Sequence, residues 1–387
     1  MDVSKGSVVH VKEMVRALRE MGCQTTLVAS GNPGDMGSRD FVCLTERPYP
    51  EGRVHRPVAM LGRLIRLFSL ACCYLPSHAV IYARDYHVAV MCLLPKLALR
   101  KRLVYEINGL ASEEWLMKGN TIFHRAVALI IRASEWLAAQ KSDRLVVVTE
   151  GLRQYLVSNL GIEARKIGLI PNGVNTRVFY PMDDSGSLKG LRACLGIQND
   201  EPVVLFAGNL APWQGIDTLL DSIPIVLRDL PRVKFLIVGG GALHGHLWTR
   251  MRTMNLQKHV IFTGMIPYRQ VPRYVNLADV CVSPFVKRRN NRIGVSPLKI
   301  YEYMACGKAV VGSRIAGLDF IEDRETGILV EPESAEALAS GLVELLLDSR
   351  KTARMGRNGA DLARQEFDWG KRARQVLRIV KDQKRVS

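Results

Sequence analysis

Lys299 and Glu302 are the two residues whose types and spacing best fit a binding chemistry. They lie three positions apart, so on a helix they share one face, one turn from each other. Ser296-Pro297 predicts the helix start, with Ser296 as N-cap and Pro297 as first helical residue, and Gly307 predicts the stop. A helix N-terminus binds anions, and a cation beside it with a carboxylate one turn deeper would suit a nucleotide diphosphate and its ribose. A capped helix with an incidental Lys–Glu pair is the alternative.

The elements that must position these residues alternate along the chain. Apolar runs predict buried strands, and helical periodicity predicts helices between them. The predicted strands are 25–29, 79–83, 102–107, 145–148, 167–174, 203–208, 235–241, 260–266, 278–284 and 309–311. Such alternation predicts parallel βαβ units in a doubly wound α/β fold, whose ligands bind beyond the carboxyl ends of the strands.

Four polar residues occupy strand ends in the first half of the chain. They are Arg84, Asn108, Thr149 and Asn172. Each by itself is more typical of a helix cap or a turn. Together they predict one rim of a binding site.

The first residues lack the strand that normally opens a doubly wound domain. Gly6-Ser7 leads directly into a helical pattern over residues 11–21. The opening strand is therefore expected to be missing or reduced to residues 1–5. This predicts a truncated chain and weakens the expectation of activity.

The stretch Glu302-Tyr-Met-Ala-Cys-Gly-Lys-Ala-Val-Val resembles the donor-binding motif of the family 4 retaining glycosyltransferases, which have the GT-B fold. The first Glu of their Glu-x7-Glu motif falls on Gly294 and is absent here. A Ser-Pro-Leu-Lys segment, typical of one branch of the family, stands between. Three further segments resemble the family's acceptor-domain markers: Val-Tyr-Glu-Ile-Asn-Gly, Val-Val-Thr-Glu-Gly-Leu and Ile-Pro-Asn-Gly-Val-Asn.

The resemblance covers nearly the whole chain and implies two Rossmann-like doubly wound domains that face a cleft. The first, residues 1–180, would bind the acceptor, and the second, residues 201–366, would bind the nucleotide sugar. The polar stretch 181–200 is interpreted as the linker. Residues 367–387 would form a C-terminal helix that crosses back to the first domain.

The resemblance also implies which residues touch the donor. In the family an Arg and a Lys in the loop after the first donor-domain strand hold the diphosphate, and these positions are Asn209 and Gln214 here. Lys299, with Arg292 or Arg288, is expected to supply the charge instead. The implied catalytic residues are Lys299, Glu302, Asn209 and Gln214, and the implied donor-binding residues are Gly208, Gly239, Gly241, Met265, Ile266, Gly294, Ser296 and Leu298.

The acceptor side is implied to include Gly6 and Ser7 together with the four rim residues. Many members carry a His near the position of Asn108, which this chain lacks. The implied activity is a metal-independent, retaining transfer of a sugar from a nucleotide-diphosphate sugar to a hydroxyl, with no cofactor. The acceptor would be a glycan or lipid-linked glycan of cell-envelope biosynthesis. The alternative is a nucleotide-sugar-binding protein with little or no turnover.

Composition and motifs narrow the functional classes that remain possible. The net charge of +17 is not accompanied by a nucleic-acid recognition motif, so a nucleic-acid binder is not favoured. No G-x-G-x-x-G follows a strand, which disfavours a nicotinamide oxidoreductase, and no metal-ligand spacing appears. Eight cysteines without C-x-x-C spacing suit a reducing cytoplasm. The basic amphipathic region 53–68 predicts either peripheral contact with the inner face of the cell membrane or a helix packed on a core.

Overall fold

The part of the chain that the computed structural model describes contains three parallel sheets. The described residues are 6–30, 41–44, 68–69, 72–116, 119–183, 186–290 and 292–381. Residues 1–5 and all but the last residue of the basic region 53–68 lie outside them, and so do the predictions made for those segments. The side chain of Ser7 also lies outside this description.

Ten of the twelve described strands overlap the predicted apolar runs, whereas β2 Phe41–Leu44 and β12 Gly327–Val330 were not predicted. The described strands are β1 Leu27–Ser30, β2 Phe41–Leu44, β3 Val80–Ala83, β4 Arg102–Ile107, β5 Arg144–Val147, β6 Ile167–Leu169, β7 Val203–Ala207, β8 Lys234–Val238, β9 Val260–Gly264, β10 Val280–Ser283, β11 Ala309–Ser313 and β12 Gly327–Val330. Their order is β1-β2 in one sheet, β3-β4-β5-β6 in a second and β12-β11-β10-β7-β8-β9 in a third. The α/β prediction is confirmed.

Helices connect these strands. They are α1 Gly6–Glu20, α2 Tyr86–Met91, α3 Leu93–Ala98, α4 Ala111–Leu116, α5 Ile122–Lys141, α6 Glu150–Leu160, α7 Gly186–Cys194, α8 Ile216–Asp229, α9 His244–Thr253, α10 Val271–Leu277, α11 Lys287–Asn290, α12 Leu298–Ala305, α13 Phe320–Asp323, α14 Ala335–Leu347, α15 Ser349–Leu362 and α16 Trp369–Lys381. Within the described residues, no helix is both long and apolar enough to span a bilayer.

The chain divides into two compact units. The first unit contains residues up to Met14 and Pro171–Arg372, and the second contains Val15–Ile170 and the residues from Ala373 onward. These limits differ from the predicted 1–180 and 201–366. The reason is that backbone hydrogen bonds join the loop after Pro171 to the residues at the start of the last helix. Val174 N donates to the Phe367 carbonyl at 2.8 Å, and Trp369 N donates to the Val174 carbonyl at 3.1 Å.

In the first unit both faces of the six-stranded sheet are covered. Val203 and Leu205 of β7 belong to one apolar cluster, whereas Val204 and Phe206 belong to another. Because successive strand residues point to opposite faces, the two clusters lie on opposite sides of the sheet. A parallel sheet buried on both faces is what the near-continuous apolar runs predicted.

The predicted linker 181–200 contains α7 within this first unit. Leu188 is buried in the core, and Leu191 packs against the same cluster. The two leucines stand three residues apart, so one helix face carries both. This helix was not predicted from the sequence, because the residues before the two leucines are polar.

In the second unit, side chains fix the starts of two helices. The Thr149 hydroxyl accepts a hydrogen bond from Leu152 N at 3.2 Å and thereby caps α6, as predicted. The buried carboxylate of Glu135 accepts from Ala111 N and from the Ser112 hydroxyl, each at 2.6 Å, and holds the start of α4.

Candidate functional site

The sheet of the first unit has a topological switch point between β7 and β10. The order runs β7-β8-β9 on one side of this point and β10-β11-β12 on the other. Ligands of doubly wound sheets bind beyond the strand carboxyl ends at such a point. The loops 208–215 and 284–297 follow these two central strands. They are in direct contact, because a Cβ on Gly215 would lie 1.7 Å from the Pro284 carbonyl oxygen.

Gly208 lets the first of these loops approach Lys299. Its φ is +153°, and a Cβ added there would lie 2.8 Å from Lys299 Nζ. The backbone conformation favours glycine, and a Cβ would force the flexible end of the Lys299 side chain to move. The ammonium group therefore lies directly at the carboxyl end of β7.

Lys299 is buried among the loops, with 9% of the residue exposed. Its Nζ donates to Gln214 Oε1 at 2.7 Å and lies 3.8 Å from the centroid of the Phe206 ring. An ammonium has three donors, so this single acceptor among the described residues leaves it capacity for a ligand. The structure thus brings the predicted residues Gln214 and Lys299 together.

Burial brings the pKa values of Lys299 and Glu302 toward each other. Loss of hydration lowers the pKa of Lys299 from 10.5 to about 7, against the opposing charge of Glu302. The same effect raises the pKa of Glu302 from 4.5 to about 7, although Tyr268, whose hydroxyl donates to Glu302 Oε1 at 2.8 Å, and Lys299 oppose it. Both groups change charge near neutral pH. Such perturbed pairs are common at functional sites.

The glycine turn after β8 packs against the same loop. A Cβ on Gly239 would lie 2.0 Å from the Gly208 carbonyl oxygen, and one on Gly241 would lie 2.5 Å from Asn209 Oδ1. Leu210 N also donates to the Gly240 carbonyl at 2.9 Å. The predicted donor residues Gly208, Gly239 and Gly241, with Asn209, are therefore neighbours.

The start of α12 differs from the prediction. The helix begins at Leu298, and Pro297 takes the N-cap position with φ −81° and ψ 128°. Ser296 Oγ instead accepts from Asn172 N at 2.9 Å and lies 2.9 Å from the Tyr301 hydroxyl. Ser296 was therefore wrongly predicted as the cap, because tertiary partners use its hydroxyl. The helix has eight residues, so it makes about two turns.

Asn172 lies in the first unit, where it joins α1 to the loop before α12. Its Nδ2 donates to the Ser296 carbonyl at 2.5 Å, and its Oδ1 lies 2.7 Å from His10 Nδ1. His10 is buried. Sequence reasoning placed Asn172 on the rim with residues of the second unit and missed His10, whose only signal was its position beside Gly6-Ser7.

The remaining predicted residues of the first unit include Gly6, assigned to the acceptor side, and the donor residues Met265, Ile266 and Gly294. A Cβ on Gly6 would lie 3.5 Å from Leu298 Cδ1. Met265 is 59% exposed, and its side chain lies over Gly240, where a Cβ would meet Met265 Cγ at 2.6 Å. Ile266 is partly buried, and Gly294 has a φ of +70°.

The basic loop before α12 is partly neutralised by acids. The Lys287 ammonium pairs with Glu331, and Lys287 N donates to Glu333 Oε2 at 3.0 Å. The hydrogen bond to Glu331 raises the pKa of Lys287. The ammonium of Lys287 is therefore already paired with a carboxylate. Arg288 and Arg292 are exposed.

A separate cluster in the second unit gathers two predicted rim residues around a buried carboxylate. Glu106 accepts from the Tyr82 hydroxyl at 2.6 Å, from Asn108 Nδ2 at 2.6 Å and from Arg84 Nε at 3.4 Å. A carboxylate only accepts, so the Asn108 NH₂ must face it. Asn108 Oδ1 then has no hydrogen-bond partner among the described residues. Sequence reasoning missed Glu106, which is hidden in the apolar run of β4. Thr149 is not part of this cluster, since it caps α6.

Among the described residues, no group of three or more His, Cys, Asp or Glu side chains is placed to hold a metal ion.

Comparisons with known proteins match both halves of the chain. A profile of Glycosyltransferase Family 4 matches residues 4–178, and a profile described as Glycosyl transferases group 1 matches residues 201–348. The GDP-mannose-dependent alpha-(1-6)-phosphatidylinositol monomannoside mannosyltransferase of Mycolicibacterium smegmatis is 30% identical over 242 residues, 62% of this chain and 62% of that protein. The chain spans 50% to 63% of the length of the first three curated relatives that it matches.

Solved structures share the fold. Sucrose-phosphate synthase from Thermosynechococcus elongatus has a TM-score of 0.78 at 23% identity, over 97% of this chain and 93% of that chain. The HepE protein of Anabaena, in complex with UDP-glucose, has a TM-score of 0.74 at 18% identity, over 98% and 97% of the two chains.

Proposed function

The chain belongs to the family 4 glycosyltransferases of group 1, which have the GT-B fold, and from that membership we propose that it transfers a sugar from a nucleotide-diphosphate sugar to an acceptor hydroxyl, with retention of configuration. The relative in Mycolicibacterium smegmatis is named for GDP-mannose, and the Anabaena structure holds UDP-glucose. These names support a nucleotide-sugar donor but differ in both base and sugar. The experiment below therefore tests several bases.

The observation that carries the proposal is the buried Lys299 ammonium beside Gly208 and Gln214 at the switch point. Sugar transfer loads negative charge onto the departing phosphate, and a preorganised cation there lowers the barrier. The N–H groups in the first turn of α12 add partial positive charge from the helix end. We assign the diphosphate to this place.

The rest of the donor follows from the neighbours of Lys299. Glu302, one turn deeper, would accept hydrogen bonds from the ribose hydroxyls. Met265 and Ile266, after β9, would lie against the base. Asn209 and Gln214 would donate amide hydrogen bonds to phosphate or sugar oxygens. The sugar would extend toward Gly294, where no carboxylate is available to it.

The proposed reaction uses neither a metal nor a cofactor. Lys299 and the helix N-terminus take the role of the cation, and the leaving phosphate helps to remove the acceptor proton during attack from the same face. No enzyme nucleophile is assigned.

The acceptor is proposed to be a glycan or lipid-linked glycan of the cell envelope. Arg84 and Asn108, oriented by Glu106, offer a guanidinium and an amide for acceptor hydroxyls. Gly6 and Ser7 are assigned to the acceptor side as well. A relative named for a phosphatidylinositol mannoside acceptor is consistent with a lipid. The protein would act in the cytoplasm, with the basic region 53–68 as one peripheral contact with the membrane.

The alternative function is nucleotide-sugar binding without turnover. It is favoured by the neutral residues Asn209 and Gln214 and by Gly294, where the family resemblance expects charged side chains. Affinity for a nucleotide sugar without release of nucleoside diphosphate would distinguish it from a transferase.

The test is calorimetric titration of the full chain with UDP, GDP and ADP. We expect saturable binding of one nucleotide. Lys299→Met should weaken it by about tenfold or more, because a charge-assisted hydrogen bond is lost. Gly208→Ala should also weaken it, because its Cβ would displace Lys299 Nζ from 2.8 Å.

Two matched variants serve as controls. Lys258→Met removes an exposed lysine of the same unit, and Gly245→Ala adds a Cβ in α9 that meets nothing within 4 Å. Both should bind like the wild type. Failure of the wild type to bind any of the three nucleotides would refute the proposed donor site, and so would equal affinities of the Lys299 and Lys258 variants.

A further inference from the structure

The outer face of α5 exposes a set of large apolar side chains in the second unit. The exposed fractions are 89% for Ile122, 67% for Phe123, 66% for Leu129, 67% for Ile130 and 45% for Trp136. A soluble surface carries single exposed apolar residues routinely, but a contiguous apolar face indicates an interaction. Five exposed large apolar side chains on one helix therefore form an apolar patch.

Helix geometry arranges these residues in parallel rows. Positions seven apart differ by only about 20° around an α-helix. Ile122, Leu129 and Trp136 therefore form one row along the helix. Phe123 and Ile130 form a second row beside the first.

A third row on the other side of the first one is basic. Arg125 and Arg132 are also seven apart, and both are exposed. Neither forms an ion pair within the part of the chain that the structure describes. Glu135, which is the only acid between residues 119 and 141, is buried and bonded to the start of α4. The exposed charged residues that α5 itself contributes to this face are therefore basic.

From these rows we propose that the outer face of α5 lies on an anionic phospholipid bilayer. The two apolar rows enter the interface between headgroups and acyl chains, and the arginine row contacts lipid phosphates. Trp136 at the end of the apolar row suits the interface, where an amphipathic ring is favoured.

A neighbouring element extends the same apolar character. In α3, Leu94 and Leu97 are each 71% exposed. Lys96 Nζ donates to the Lys141 carbonyl at 2.7 Å, so α3 touches the carboxyl end of α5. The proposed contact is distinct from the basic region 53–68, and it goes beyond the proposed sugar transfer.

The test is co-sedimentation of the full chain with vesicles of phosphatidylcholine mixed with phosphatidylglycerol, and with vesicles of phosphatidylcholine alone. We expect binding to the mixed vesicles that weakens as salt rises. The double variant Leu129→Ser/Ile130→Ser should lower the binding constant at least about tenfold, because two aliphatic side chains that would enter the bilayer are lost. Arg125→Gln/Arg132→Gln should lower it about tenfold or more.

The controls match these changes on the other unit. Leu347→Ser removes an apolar side chain that is 65% exposed, and Arg350→Gln/Arg354→Gln removes two exposed charges four residues apart. Both should bind vesicles like the wild type. Because all the substituted residues are exposed, equal melting temperatures should show that every variant folds.

Three outcomes would overturn the proposal. The first is that the wild type does not bind mixed vesicles. The second is that the Leu129→Ser/Ile130→Ser variant binds them as the wild type does, which would assign the membrane contact to region 53–68 instead. The third is a dimer in sedimentation velocity that this variant dissociates, which would make the face a contact between copies. Nucleotide titration of the same samples reports separately on the donor site, so failure of one idea does not imply failure of the other.

Discussion

Lys299 and Glu302 are two titratable residues whose side chains are buried in the first unit. Burial lowers the pKa of Lys299 and raises the pKa of Glu302, each to about 7. Taking a charge out of water is unfavourable unless a partner compensates. A diphosphate bound at the proposed site would supply that compensation for Lys299.

This predicts a pH-dependent affinity for nucleoside diphosphate. Below about pH 7 Lys299 is protonated before the ligand arrives, whereas above it the protein must take up a proton to bind. The affinity should therefore fall as the pH rises above 7, by up to about tenfold per unit. Calorimetry on both sides of pH 7, in buffers with different ionisation enthalpies, would measure the proton uptake.

Lys299→Met provides the comparison for this prediction. It removes the titrating ammonium, so its weaker affinity should depend less on pH, and any remaining slope would belong to Glu302. A wild-type affinity that is flat across this range, with no proton uptake, would show that the ligand does not contact Lys299.

At the scale of elements, α12 is positioned by its end as well as by its start. Gly307 follows the helix with a φ of +72°. Its N–H donates to the Met304 carbonyl at 2.8 Å, and Lys308 N donates to the Tyr303 carbonyl at 3.0 Å. These two bonds form a Schellman motif, which satisfies carbonyls that the helix leaves open.

We expect Gly307→Ala to lower the unfolding free energy of the first unit by about 1 kcal/mol or more, since a Cβ is strained at this positive φ. Gly190→Ala is the matched comparison. Gly190 lies inside α7, and its Cβ would meet nothing within 4 Å. It should stabilise by about 0.5–1 kcal/mol. Urea titration would measure both changes, and two shifts of the same sign would contradict the argument.

Local sequence patterns predicted the helices and strands better than they predicted the contacts between residues that are far apart in the sequence. Most of the described strands follow from apolar runs, and Thr149 and Gly307 act at helix ends as their local signals suggested. Ser296 fails as a cap because Asn172, 124 residues away in sequence, takes its hydroxyl. Glu106 was missed for a related reason: a single acid in an apolar strand has no visible partner until β3 and β4 are paired.

At the scale of the whole molecule, the last helix contributes to both units. Trp369 at its start belongs to the first unit, and the residues from Ala373 belong to the second. In the second unit Arg102 Nη1 donates to the Val380 carbonyl at 2.9 Å, and Ile379 packs so closely on Gly168 that a Cβ there would lie 2.2 Å from Ile379 Cδ1. Residues after Arg372 therefore support a sheet formed far earlier in the chain.

Truncation after Arg372 should consequently destabilise the second unit more than the first. Hydrogen exchange should accelerate in β4, β5 and β6, whereas the amides of β7, β8 and β10 should stay protected. Truncation after Lys381 is the control, because it keeps the whole described helix. Equal loss of protection in both sheets would show that the helix serves the two units alike.

The hydrogen bond between Lys299 and Gln214 also bears on how this site can change in evolution. The family resemblance expects a lysine at position 214, yet a second ammonium there would share a pocket lined by Phe206 and Phe285 with the first. We therefore expect Gln214→Lys alone to be deleterious in this background, although it restores the lysine that the family resemblance expects. Exchange of one arrangement for the other would then require a change at both positions.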